Sequence, residues 1–156
     1  MQSIIVLKAN QTAISILPTR GSKSILFILP AIIENTGISI IVIPFITLID
    51  NLVTRAIDIG VDYIQYRLSI SSGQEGILRA AQLIVISANI ILSAKFYRYI
   101  NRLLYTGLLQ QIFIDKYYTV IIDISYCAKL SKLIGLRRFS CPLVLLIATL
   151  PIVLED

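Results

Sequence analysis

The chain has 156 residues and a mass of 17.4 kDa, which is one domain's worth and about half of what a two-domain motor requires. Hydrophobic residues make up 56% and charged residues 15%, with a mean hydropathy of +0.83, so intrinsic disorder is excluded and the first decision is soluble against membrane. The net charge of +5 suits either a phosphate-bearing partner or an ordinary solvated surface.

A membrane-spanning helix needs roughly 18 to 20 consecutive apolar residues. The longest uncharged stretches, residues 35–49, 80–94 and 139–154, fall short of that, and the first and last contain proline. All three are rich in isoleucine and valine, which fits short buried strands better than spans. The first ten residues place Lys8 after their apolar run and show no cleavage site, so no secretory signal is expected. Cys127 and Cys141 have no CxxC spacing and there is no histidine, which argues against a disulfide scaffold and a zinc site.

In chain order, residues 12–17 predict a strand ended by Pro18, and residues 24–34 a helix in which Pro30 marks a kink or an end. Residues 38–43 are a β-branched run closed by Pro44. Residues 47–59 then carry Leu48, Leu52, Val53 and Ala56 on a helical stripe that stops at Gly60. A short strand is expected in residues 61–66, a loop over 69–76 and a strand over 83–87. Residues 88–106 read as an amphipathic helix, with Phe96, Ile100, Leu103 and Leu104 opposite Lys95, Arg98 and Arg102, and Gly107 as its stop. A short strand over 112–115, a basic helix over 126–139 and a last strand over 143–148 complete the chain. Apolar strands alternating with helices predict an α/β fold: three layers, with a mostly parallel sheet covered by helices on both faces. In such sheets ligands bind beyond the carboxyl ends of the strands.

After the first strand comes Leu-Pro-Thr-Arg-Gly-Ser-Lys-Ser, residues 17–24, opening a helix with the spacing of a phosphate-binding loop. Such a loop needs glycines so that backbone N–H groups can turn toward phosphates, a lysine for the β/γ oxygens, and a hydroxyl for magnesium. Lys23 and Ser24 are in place, but of the glycine-rich turn only Gly21 remains, with Arg20 and Ser22 on either side.

Three further segments stand in order behind it: IIVIPFITLIDNL from residue 40, QIFIDKYY from residue 111 and CPLVLLIATLP from residue 141. Together the four resemble the first RecA-like, ATP-binding domain of RecQ-like superfamily-two DNA helicases, over nearly the whole chain, and are most similar to truncated, transposon-linked copies carried in fungal genomes. The resemblance implies a nucleotide site at Thr19, Gly21, Ser22, Lys23 and Ser24, and magnesium held at Ser24 and Asp115. It places Pro44 and Thr149 in the motifs that couple nucleotide to nucleic acid. ATP and Mg²⁺ are the implied cofactors, and single-stranded or duplex DNA the implied partner. A nuclear or cytoplasmic location and a single incomplete domain, its second RecA-like domain absent, are the matching expectations. Lys95, Arg98 and Arg102, at steps of three and four on one helix face, are candidate nucleic-acid contacts.

The departures from the family pattern are informative. Arg20 stands where a glycine allows close approach, and any Cβ is expected to clash there. Lys116 follows Asp115 where the family has the water-activating glutamate, and its charge competes with magnesium for the Asp115 carboxylate. Gly to Arg, Gly to Ser, Glu to Lys and His to Tyr are all reached by G·C to A·T base changes. The same bias accounts for the lack of His and Trp, the single Met, and isoleucine at about one residue in five. The expectation is a helicase domain decayed by mutation, catalytically inactive, with Lys23 and Asp115 at neighbouring strand ends on one edge of the sheet.

Simpler readings stand beside this one. Lys23 also reads as a surface lysine, Asp115 as a strand-end cap, and Thr149 as a helix cap before Pro151. Two other classes compete: a small multi-span membrane protein, and a nucleotide-independent single-stranded DNA module using Lys95, Arg98, Arg102, Tyr97 and Tyr99.

Overall fold

The computed structural model describes residues 12–17, 23–33, 37–44, 46–67, 81–115 and 133–148. In chain order they form β1 (Thr12–Leu17), α1 (Lys23–Ile33), β2 (Ile38–Ile43), a 3-10 turn at Ile46–Leu48 leading into α2 (Ile49–Ile59), and β3 (Tyr63–Gln65). There follow β4 (Leu83–Ser87), α3 (Ala94–Tyr105), β5 (Leu109–Ile114), a second 3-10 turn at Ile134–Arg138, and β6 (Leu143–Ala148). The strands build one six-stranded sheet in the order β1-β6-β5-β2-β4-β3, with every neighbouring pair parallel. The expected α/β, three-layer architecture is therefore the observed one.

Alternation along the central strands assigns the two faces. All six residues of β2 are buried. Ile38, Ile40 and Val42 face a core shared with Ile84 and Ile86 of β4, Ile112 and Ile114 of β5, and Phe96, Ile100 and Leu103 of α3. Ile41 and Ile43 point the other way, into a core with Leu83, Val85, Phe113, Phe27 and Ile28 of α1, and Leu52 and Ala56 of α2. A strand buried on both faces has no solvent side to keep polar, so a continuous β-branched run is what its position requires. The windows 35–49 and 80–94 thus house β2 and β4, and among the described residues no helix is long and apolar enough to cross a membrane.

Sequence-based boundaries fail where a polar side chain is satisfied locally. The helix expected from residue 88 begins at Ala94, because the Ala88 N–H extends the sheet to the Ile43 carbonyl at 2.9 Å. Ser93 then caps α3, its Oγ accepting from the Phe96 N–H at 3.2 Å. Strand β5 starts at Leu109 rather than at residue 112; the Gln111 side chain donates to Ser39 Oγ across the β5–β2 pair at 3.3 Å. Of the basic helix expected over 126–139, residues 126–132 lie outside the described residues. The remainder is a 3-10 turn that ends with Phe139 extended, its ring laid against Tyr97 of α3. Pro30 ends nothing: α1 runs through it to Ile33. The loop expected over 69–76 lies outside the described residues.

Two glycines end helices with left-handed backbone, Gly60 at φ +79° and Gly107 at φ +70°. The Gly60 and Val61 N–H groups donate to the Ile57 and Ala56 carbonyls at 3.0 and 2.9 Å, closing the end of α2.

Phe96 is fully buried, with its ring 5.0 Å from that of Tyr66 at a near-perpendicular angle. Phe96→Ala is expected to cost about 3–5 kcal/mol in chemical denaturation. Ile57→Ala, at a position 59% exposed on α2, should stay within about 0.5 kcal/mol.

Candidate functional site

Because every strand runs the same way, all six carboxyl ends open on one edge of the sheet, and the segments that carried the sequence motifs leave from that edge. Lys23 and Ser24 are the first two residues of the 11-residue α1, which follows β1. A helix start of this kind gathers unpaired backbone N–H groups and the positive end of the helix dipole. Thr19, Gly21 and Ser22, with Arg20, lie outside the described residues. Asp115 directly follows β5; it is half-buried, and its N–H donates to the Val42 carbonyl at 2.9 Å, which holds its backbone against β2. Lys116 and Thr149 also fall outside the described residues, and in sequence Thr149 comes immediately after β6.

The expectation for Lys23 and Asp115 needs one correction. Both stand at the same edge, but β1 and β5 are not neighbours, since β6 runs between them. Two strand spacings amount to about 10 Å.

Further along the edge, Pro44 is buried at the end of β2 and Ser87 at the end of β4. Ser87 Oγ has no hydrogen-bond partner among the described residues. Its hydroxyl escaped sequence analysis because serine inside an apolar strand carries no positional signal.

Lys95, Arg98 and Arg102 lie on α3, the helix that follows β4. Arg98 and Arg102 are exposed and Lys95 half-buried. The two tyrosines considered as stacking partners beside them are not available. Tyr99 is 9% exposed and packs on Tyr66 and Phe96, with ring centroids at 5.6 and 6.1 Å. Tyr97 is half-buried against Phe139, with ring centroids 5.6 Å apart, and the Arg138 guanidinium sits over it at 4.4 Å from the ring centre. The exposed aromatic of this helix is Tyr105, at 94%. The same helical spacing that grouped the cations identifies it, since it follows Arg102 by three residues and Arg98 by seven.

Among the described residues no group of three or more histidine, cysteine or carboxylate side chains is placed to hold a metal ion. Asp115 is the carboxylate at the edge, and in sequence the next residue is a lysine. The donors that the sequence resemblance implies for magnesium, Ser24 and Asp115, are thus only two, at the start of α1 and after β5.

Comparison with solved structures bears on the fold. The chain superposes on a crystal structure of the DUF1998 helicase MrfA bound to DNA and AMPPNP with a TM-score of 0.63 and 18% sequence identity, over 93% of this chain and 23% of that one. A second structure of the DUF1998 helicase MrfA, bound to DNA, gives a TM-score of 0.62 and 16% identity, over 88% and 21%. What is shared is the fold. The chain spans less than a quarter of the length of these helicases. No protein-family model and no curated protein matches the sequence.

Burial pushes the Tyr99 hydroxyl up to about 12, with Tyr66 adding to the rise and Arg102 opposing it, and pushes the Cys141 thiol up to about 11. Both groups keep their protons longer folded than unfolded. The stability they contribute is therefore complete below pH 9 and is lost as pH rises, from Cys141 between about 9 and 11 and from Tyr99 between about 10 and 12. Urea midpoints measured across this range should fall, and Tyr99→Phe should flatten the part above pH 10.

Proposed function

We propose that the chain is a RecA-like ATP-binding domain of RecQ-like helicase descent that contacts nucleic acid and no longer turns over ATP. The observation that carries this reading is the common edge: the α1 start with Lys23 and Ser24, and Asp115 after β5, stand on either side of the end of β6. The order of the sequence motifs and the likeness to a helicase bound to DNA and AMPPNP support the same descent. In this reading the residual nucleotide contacts are Lys23 for phosphate oxygens and the Ser24 hydroxyl and Asp115 carboxylate for Mg²⁺, with Thr19, Gly21 and Ser22 forming the loop. Pro44 and Thr149 take the coupling positions, and Lys95, Arg98 and Arg102 contact nucleic-acid phosphates.

Two substitutions oppose turnover independently. A side chain at Arg20 fills space that a phosphate-binding turn leaves open, and Lys116 supplies a cation where a carboxylate must orient water. In this family the arginine finger comes from a second RecA-like domain, and such a residue is worth roughly 10³ to 10⁵ in rate.

The expected outcome in a phosphate-release assay with Mg²⁺-ATP and DNA is no activity above background. Calorimetric titration of the Arg20→Gly/Ser22→Gly variant should show nucleotide binding stronger than that of the unaltered chain, and Lys23→Ala in that background should abolish it. Phosphate release should remain absent in the restored variant as long as Lys116 stands beside Asp115. DNA-stimulated release by the unaltered chain, lost on Lys23→Ala, would contradict the inactive reading. Failure of the restored variant to bind nucleotide would contradict the nucleotide-domain reading itself.

A further inference from the structure

The helical layers over the two faces of the sheet differ in charge. On one side α1 and α2 carry Lys23 and Arg55 against Asp50 and Asp58, two of each sign. On the other side, among the described residues, α3 and residues 133–148 carry Lys95, Arg98, Arg102, Arg137 and Arg138 and no carboxylate in either segment. Around α3, Phe96, Tyr99, Ile100 and Leu103 turn to the sheet, which leaves Arg98, Asn101, Arg102 and Tyr105 exposed on the outer face. At helical spacing Tyr105 lies next to Asn101 and Arg102, and one further turn from Arg98. Arg138, held over the Tyr97 ring, flanks the same helix from its other side.

We propose that this outer face of α3 binds a single nucleic-acid strand, with Tyr105 as a stacking platform for a base and Arg98 and Arg102 as contacts to the adjoining phosphates. The proposal deepens the nucleic-acid part of the function argued above and is independent of nucleotide binding. Charge complementarity selects a polyanion, because Arg98 and Arg102 are both exposed on a helix whose own sequence holds no carboxylate. The aromatic ring selects a single strand. A tyrosine 94% exposed can stack on an unpaired base through its π-face, whereas a duplex keeps its bases stacked inside and presents only sugar and phosphate to a convex helix. Arg98 to Tyr105 spans about 10 Å along the helix, so one short stretch of strand can meet both the guanidinium groups and the ring.

The test uses the 156-residue chain and a fluorescein-labelled oligothymidylate of about 20 nucleotides, read by anisotropy, with a duplex of equal length beside it. Tyr105→Ala is expected to weaken single-strand binding about fivefold to a hundredfold, to leave duplex binding unchanged, and to be rescued by Tyr105→Phe. Arg98→Ala should lower the slope of log K against log salt by about 0.7, the value for one single-strand phosphate contact. Both positions are exposed, and unchanged circular dichroism and urea midpoint establish that the variants fold. Strand binding that Tyr105→Ala and Arg98→Ala leave intact would overturn this site while nucleic-acid binding elsewhere stands. Absence of binding to either probe would overturn the site and the nucleic-acid reading together, and preference for the duplex, or equal loss on both probes, would overturn the single-strand assignment.

Discussion

The double-sided burial of β2 is the constraint from which the rest of the molecule follows. Its six residues are all buried and alternate between two separate cores, so neither face of the sheet can meet water and each must carry a helical layer. Parallel pairing on both sides of β2, with β4 and with β5, then forces each connection to cross back over a face before the next strand begins. All carboxyl ends consequently emerge together, and the segments after β1, β2, β4, β5 and β6 share one edge. The location of the candidate nucleotide site is a consequence of that topology and not of any single motif.

Sheet and site respond differently to the substitution pattern of this chain. A drift toward isoleucine is nearly harmless inside a parallel sheet, where Ile38, Ile40, Ile41, Ile43, Ile84, Ile86, Ile112 and Ile114 all sit in apolar cores. The same drift is damaging at a glycine of a phosphate-binding turn or at a carboxylate beside a metal, where one atom or one charge decides function. A fold that superposes on part of a helicase is therefore compatible with the proposed loss of function at Arg20 and Lys116. The high mean hydropathy has a structural counterpart: two of the longest apolar windows hold β2 and β4, which are buried throughout.

Charge is unevenly distributed among the described helices. The overall +5 is modest, yet α3 and the turn at Ile134–Arg138 carry only cations, whereas the charges of α1 and α2 balance. Aromatic packing maintains that division by pinning Phe139 and Arg138 onto Tyr97, which adds a basic segment distant in sequence to the α3 side.

The sequence by itself determined the elements whose identity depends on local chemistry. The strands over residues 12–17, 38–43, 83–87 and 143–148 were legible because short apolar runs rich in isoleucine, valine and leucine leave few alternatives, and the ends of α2 and α3 because Gly60 and Gly107 supply left-handed backbone at little cost. The cations of α3 were legible because helical periodicity is a local property. Only the tertiary structure decided that β6 separates β1 from β5, since strand order depends on pairings between residues as far apart as Thr12 and Leu143, which leave no local trace. It decided also that Gln111 belongs inside a strand, through its bond to Ser39, and that Ile134–Arg138 forms a 3-10 turn after which Phe139 is extended. Of the tyrosines on α3, it buried Tyr99 and covered Tyr97 but left Tyr105 in solvent, because which flank of a helix is covered depends on the partner that arrives from elsewhere in the chain.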